Sequence, residues 1–106
     1  RKVMSGFKII SVTELDQILQ KGARLVDVRT DAEVARGIIA NSEHIPLHLL
    51  PLRLNELDKN TTTVFYCQMG GRSSQAASFA FSNGFHDVYN LQGGIAAWHQ
   101  AGLPTV

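Results

Sequence analysis

Cys67 is the only cysteine in this chain. One thiol excludes an internal disulfide, a cysteine-rich metal site and a resolving thiol in the same chain, and a reducing compartment suits it best. Neither sign of charge dominates. Ten Lys and Arg stand against nine Asp and Glu, a formal net charge of +1, so nothing electrostatic argues for nucleic acid or an anionic membrane as partner. No apolar run approaches the ~20 residues that span a bilayer, and Arg1-Lys2-Val3-Met4 has no signal-peptide character. The expected location is cytoplasmic, with a cleaved leader left open. Residues 1–6 are expected to be extended or partly foreign to the native chain, with Met4 a candidate initiator.

Repeats, low-complexity tracts and linkers are also missing. The glycine-rich dinucleotide fingerprint is not met, because Gly93-Gly94 lacks its spacing. His44 and His48 lie four apart, but Pro46 between them spoils a shared helical face, and no zinc-type histidine–carboxylate motif accompanies them. No metal and no cofactor are expected.

What the chain does have is an apolar fraction of 44% over 106 residues, enough for one globular domain with a real core. Its punctuation is regular. After an apolar lead-in, Phe7 to Ile10, the box Ser11-Val12-Thr13-Glu14 starts a helix over Val12 to Lys21, with Ile10 and Leu15 placed as a staple. Leu15, Ile18 and Leu19 form its apolar stripe and Gly22 its stop. Leu25 to Val28 reads as a buried strand, and Thr30-Asp31-Ala32-Glu33 as a second capping box opening a brief helix that ends near Gly37. His44-Ile45-Pro46 is expected as an edge strand, since Pro46 cannot donate to a ladder. The leucines from Leu49 to Leu57 have partly helical spacing, with a start near Leu50 that tolerates Pro51. Thr61 to Tyr66 is β-branched and aromatic, hence strand. Arg72 to Asn83 reads as helix, Asp87 to Tyr89 as strand and Gly94 to Gln100 as helix. Strands alternating with helices predict an α/β fold with a parallel sheet covered on both faces. Ligands then bind beyond the carboxyl ends of the strands, where Cys67 and Arg29 both fall.

The stretch VFYCQMGGRSS at 64–74 is the most informative. A lone cysteine after a strand is ordinarily core filler, but filler needs no Gly-Gly pair, no arginine and no helix starting at once. Gly70 and Gly71 permit positive φ, so successive N–H groups of the loop can turn inward as a nest. The helix near Arg72 adds its free amides and the positive end of its dipole. Arg72 adds a cation, and Ser73 and Ser74 can cap or donate at the rim. Such a setting favours the thiolate, and would equally hold a persulfide or an oxyanion. Four residues separate Cys67 from Arg72, one fewer than in phosphatases that form a phosphocysteine. A ring of this size suits a single terminal sulfur better than a phosphoryl group.

The chain resembles a single-domain rhodanese, a sulfurtransferase homology domain. The segments that carry the resemblance are LVDVRT at 25–30, EVARGIIANSEHIPL at 33–47, VFYCQMGGRSS at 64–74 and VYNLQGGIAAWHQAGLP at 88–104. The resemblance implies a rhodanese-like fold with a five-stranded parallel sheet and helices on both faces. It also implies a ping-pong cycle in which Cys67 takes sulfane sulfur from thiosulfate or a persulfide and passes it to a thiol or cyanide. The amides from Gln68, Met69, Gly70, Gly71 and Arg72 to Ser73 would form the cradle. Asp27 and Arg29 match the family's Asp-x-Arg element, where a structural ion pair and a substrate contact both remain open. Gly93-Gly94 and Trp98 match a GG-x-x-AW segment and read as packing. Ile38 stands where many members have His, and Gln68 and Met69 leave Arg72 the only cation in the loop. A small sulfur-donor anion, a low-molecular-weight thiol and a sulfur-relay protein are the expected partners, and Met69, adaptable and apolar, would suit contact with the last of these. Two alternatives stay open, a non-catalytic or regulatory binding module and, against the loop length, a phosphatase or arsenate reductase.

Overall fold

The computed structural model describes residues 6–106, so the expectation for residues 1–6 lies, but for Gly6, outside the described residues. Five strands run parallel in one sheet: β1 (Lys8–Ile10), β2 (Arg24–Asp27), β3 (Glu43–His44), β4 (Thr63–Tyr66) and β5 (Val88–Leu91), in spatial order β1-β5-β4-β2-β3. Between them lie α1 (Val12–Gln20), α2 (Asp31–Val34), α3 (Leu50–Arg53), α4 (Gly71–Ser82) and α5 (Gly94–Gln100), with 3-10 turns at Leu47–Leu49 and Leu54–Glu56.

Side chains alternate across the sheet, as the two-residue period of a strand demands. Leu25, Val64 and Tyr66 pack with Ile10, Leu15 of α1, Leu91 and Ile95 of α5 on one face. Val26, Phe65 and Cys67 pack with Leu50, Phe85 and Ala76, Ala77 and Ala80 of α4 on the other. β4 is central and fully buried, and each large apolar residue it buries stabilises by about 1.5–3 kcal/mol relative to exposure. The alanines on α4 let the helix approach the sheet closely, which brings its N-terminus to the end of β4.

Both capping boxes form, with the Ser11 and Thr30 amides donating to Glu14 Oε1 at 3.1 Å and to Glu33 Oε1 at 3.0 Å. Element limits differ from the sequence reading at several points, each with a hydrogen-bonding cause. The lead-in at Phe7 to Ile10 becomes edge strand β1 because Lys8, Ile9 and Ile10 find partners in Tyr89, Asn90 and Leu91. The last strand runs on to Leu91 instead of ending at Tyr89, since it lies between β1 and β4 and its ladder outweighs the turn preference of Asn90. The strand expected from Thr61 begins at Thr63, because the Thr61 amide closes a turn onto the Asp58 carbonyl. At the β3 edge the ladder skips Pro46, and Ile45 and Leu47 donate to the Asp27 and Val28 carbonyls. Among the described residues no helix is long and apolar enough to cross a membrane.

Candidate active site

The chain leaves β4 at Tyr66, and the next residue, Cys67, turns its side chain to the face covered by α4. Gly70 then adopts φ +116° and serves as the N-cap of α4, a conformation that L side chains rarely adopt. The result folds the loop back over the sulfur. Cys67 Sγ accepts the Gly70 amide at 3.1 Å, the Ser73 amide at 3.3 Å and the Ser73 hydroxyl at 3.3 Å. Burial pushes the thiol up. The Ser73 hydroxyl and the Ser73, Gly70 and Met69 amides together more than offset it, so the thiol lies below its ordinary value. The sulfur is therefore both buried, with Cys67 only 1% exposed, and surrounded by donors. Burial and activation, rival readings of the sequence, coexist.

Two neighbouring elements brace the loop. From β5, Asn90 accepts the Ser73 hydroxyl on Oδ1 at 2.5 Å and donates Nδ2 to the Gly70 carbonyl at 3.2 Å. Ser73 has one hydroxyl proton, so Asn90 and the sulfur compete for it. From α5, the Ile95 and Ala96 amides donate to the carbonyls of Cys67 and Gln68 at 2.9 and 3.1 Å. A methyl group on Gly94 would lie 2.5 Å from both of those carbonyl oxygens, and Gly94 also has φ +60°. The glycine pair thus allows close backbone approach. Trp98 is half-buried against the cluster that contains Ile95 and donates its indole N–H to the Pro104 carbonyl at 2.8 Å.

Arg72, the cation expected at the loop, is bound to a carboxylate. Its guanidinium forms no hydrogen bond to the sulfur. Instead, Nη1 and Nη2 donate to Glu33 Oε1 and Oε2 at 2.6 and 2.8 Å. Arg72 holds the Glu33 carboxyl at about 2, against the opposing effect of burial and with help from Thr30. Gln68 is half-buried at the loop's shoulder, Gly71 is exposed, and Met69 stands out from the loop at 70% exposure. Ser73, expected at the rim, is buried beneath the sulfur, while Ser74 turns back to the Gly71 carbonyl.

Asp27 and Arg29 form a closed pair at the end of β2. Arg29 Nε donates to Asp27 Oδ1 and Oδ2 at 3.0 and 3.1 Å, and Nη2 to Oδ2 at 2.8 Å and the Gly37 carbonyl at 2.8 Å. Both residues are buried, and the Arg29 guanidinium lies 5.8 Å over the Tyr66 ring, on the face of the sheet opposite Cys67. With both residues buried and Nε and Nη2 so engaged, Arg29 has the geometry of the structural alternative. His44 completes this corner, its Nε2 lying 2.7 Å from the Arg29 carbonyl oxygen.

Sequence reading missed Asn90 and the second role of Glu33. Asn90 fell between the strand expected over Asp87 to Tyr89 and the helix expected from Gly94, and Glu33 was explained in full by its capping box. Neither carries a local signal for contact with the loop.

A family model for the rhodanese-like domain matches residues 11–101. The chain belongs to the rhodanese-like domain family. Among its relatives, a sulfurtransferase of Allochromatium vinosum is 46% identical over 82 residues, 77% of each chain. The thiosulfate sulfurtransferase GlpE of Pseudomonas fluorescens is 37% identical over 95 residues, 90% of this chain and 87% of the relative. A rhodanese-related protein from Thermoplasma volcanium has a similar crystal structure, with TM-score 0.87, 30% identity and coverage of 94% of this chain and 98% of that one. This rhodanese-like chain is a sulfurtransferase by these relationships, and the five-stranded parallel sheet is that of its structural neighbours.

Proposed function

We propose that the chain carries sulfane sulfur on Cys67. The Cys67 thiolate attacks the outer sulfur of a donor. A new S–S bond forms as the donor's S–S bond breaks, and the bonding electron pair leaves with sulfite or with the donor's thiolate. A thiol or cyanide acceptor then attacks the outer sulfur of the persulfide and restores the Cys67 thiolate. The single observation behind this reading is the set of three donors on Sγ, two of them main-chain amides at the start of α4. The same donors suit a persulfide anion, which extends one S–S bond of about 2.05 Å beyond Sγ.

The name of the Pseudomonas fluorescens relative makes thiosulfate one candidate donor. Low-molecular-weight persulfides and a sulfur-relay protein are the others, the latter with exposed Met69 as a contact. A reducing, cytoplasmic setting keeps such a thiol available. The test is intact mass after incubation with each donor. One sulfur should be gained by the wild-type protein, lost on adding cyanide or a thiol, and not gained by Cys67→Ala. A mass unchanged by every donor overturns the reading.

A further inference from the structure

Glu33 does more than its capping box requires. The Thr30 amide and hydroxyl both donate to Oε1, at 3.0 and 3.1 Å. Across 39 residues of sequence, the same carboxylate takes the two-pronged end of Arg72 through both of its oxygens. That end of a guanidinium is what a sulfonate or other oxyanion would use. Arg72 is the only cation of the loop, and it lies near enough to Cys67 to feel its charge. An oxyanion arriving at this site therefore meets an arginine already held by an internal carboxylate, itself tied to Thr30.

Resting on the sulfur-transfer reading, we propose that Glu33 is a positioning residue that sets donor specificity. By occupying Arg72 it handicaps donors with a sulfonate, such as thiosulfate, and favours low-molecular-weight persulfides, whose reacting sulfur needs only the donors around Cys67. The bond changes are the same for both. A Cys67 persulfide forms, and the electron pair of the broken S–S bond leaves with sulfite in one case and with a thiolate in the other. They differ in the charge that must be met, because thiosulfate brings three oxygens that compete with Glu33 for Arg72. The held carboxyl of Glu33 stays ionised throughout the neutral range, so the clamp is permanent and not a pH switch.

Single-turnover loading of Cys67, followed by intact mass at varied concentrations of thiosulfate or glutathione persulfide, tests this. Glu33→Gln keeps an oxygen for the Thr30 amide but removes the charge that holds Arg72. The thiosulfate-to-persulfide ratio of loading efficiencies should rise about tenfold in this variant, equivalent to about 1.4 kcal/mol. The gain should come from a lower half-saturating thiosulfate concentration and not from a faster maximal rate. It should vanish in the Glu33→Gln, Arg72→Met double variant, because Glu33 acts through Arg72. Thr30→Val keeps both charges but loosens the carboxylate, and should move the ratio the same way by about twofold, the scale of a partly exposed ion pair. An unmoved ratio in both single variants, or a gain that survives loss of Arg72, overturns the role of Glu33. If sulfur loads on Cys67 with the ratio unmoved, only this inference fails. If no donor loads sulfur, the sulfur-transfer reading fails and takes this one with it.

Discussion

β2 and β4 lie side by side, and each delivers a buried acidic group at or just beyond its carboxyl end. At β2 the group is Asp27, met by the Arg29 guanidinium and the Arg29 amide. At β4 it is Cys67, met by amides and a hydroxyl with no cation hydrogen-bonded to it. A guanidinium fork satisfies a carboxylate with a full opposite charge and fixed geometry, so the β2 corner is locked. Main-chain and hydroxyl dipoles stabilise an anion without neutralising it, so the β4 corner favours a thiolate whose charge is still available. The one arginine in the β4 loop is diverted to Glu33. Two similar places in the sheet thus divide into a corner that holds the fold and a corner suited to chemistry.

Removing each acidic group separates the two corners most sharply. Cys67→Ala should abolish sulfur loading altogether in the mass assay while the protein stays folded, since the buried volume lost is small. Asp27→Ala should do the reverse. It leaves Arg29 buried and uncompensated, a loss of about 3–5 kcal/mol, visible as a large drop in the midpoint of urea unfolding. Equal stability of these two variants would erase the distinction.

Gly94→Ala tests whether the β4 corner depends on its braces. The left-handed φ alone should cost about 1–3 kcal/mol, and the added methyl must push the Cys67 and Gln68 carbonyls away. Loading should slow along with the loss of stability. Ser73→Ala is subtler, removing the hydroxyl that does most to lower the thiol. The pH midpoint of Cys67 alkylation by iodoacetamide should shift upward, and Ser73→Thr should restore it. A midpoint that stays put would mean that the amides alone hold the thiolate.

The smallest expected effect is on acid stability. The Glu33 carboxyl in the folded chain lies at about 2, below its ordinary value of 4.5. Its contribution is therefore fully present above about pH 4.5 and lost as pH falls through 2. The difference in Tm between wild type and Glu33→Gln should be modest at pH 6, given the partly exposed pair, and should shrink toward pH 2. A difference that grows on acidification would contradict the clamp.

Much of this was readable in the chain. Helix starts at Ser11 and Thr30 are announced by boxes that close within four residues. The Cys67 loop is announced by Gly70-Gly71 between an apolar strand and a helix. Other features were not readable. Arg72 carries the same charge whether it faces a sulfur or a carboxylate, and only the placement of α2 beside the loop decides which. Asp27 and Arg29 share a face by their spacing, but that it is the face away from Cys67 depends on the register that pairs Asp27 with Tyr66.

By itself the sequence determined whatever rests on neighbours along the chain: strand and helix alternation, the caps, the turn at Gly70 and the thiol ahead of a helix. Hydrogen bonds and steric limits between adjacent residues are enough for these. Tertiary structure alone decided which distant groups meet, namely Asn90 with Ser73, Glu33 with Arg72, and the α5 amides with the carbonyls of the loop. Those contacts follow from strand order, which brings β5 and β2 to either side of β4, and strand order is fixed by burial of the whole core and not by any local run of residues.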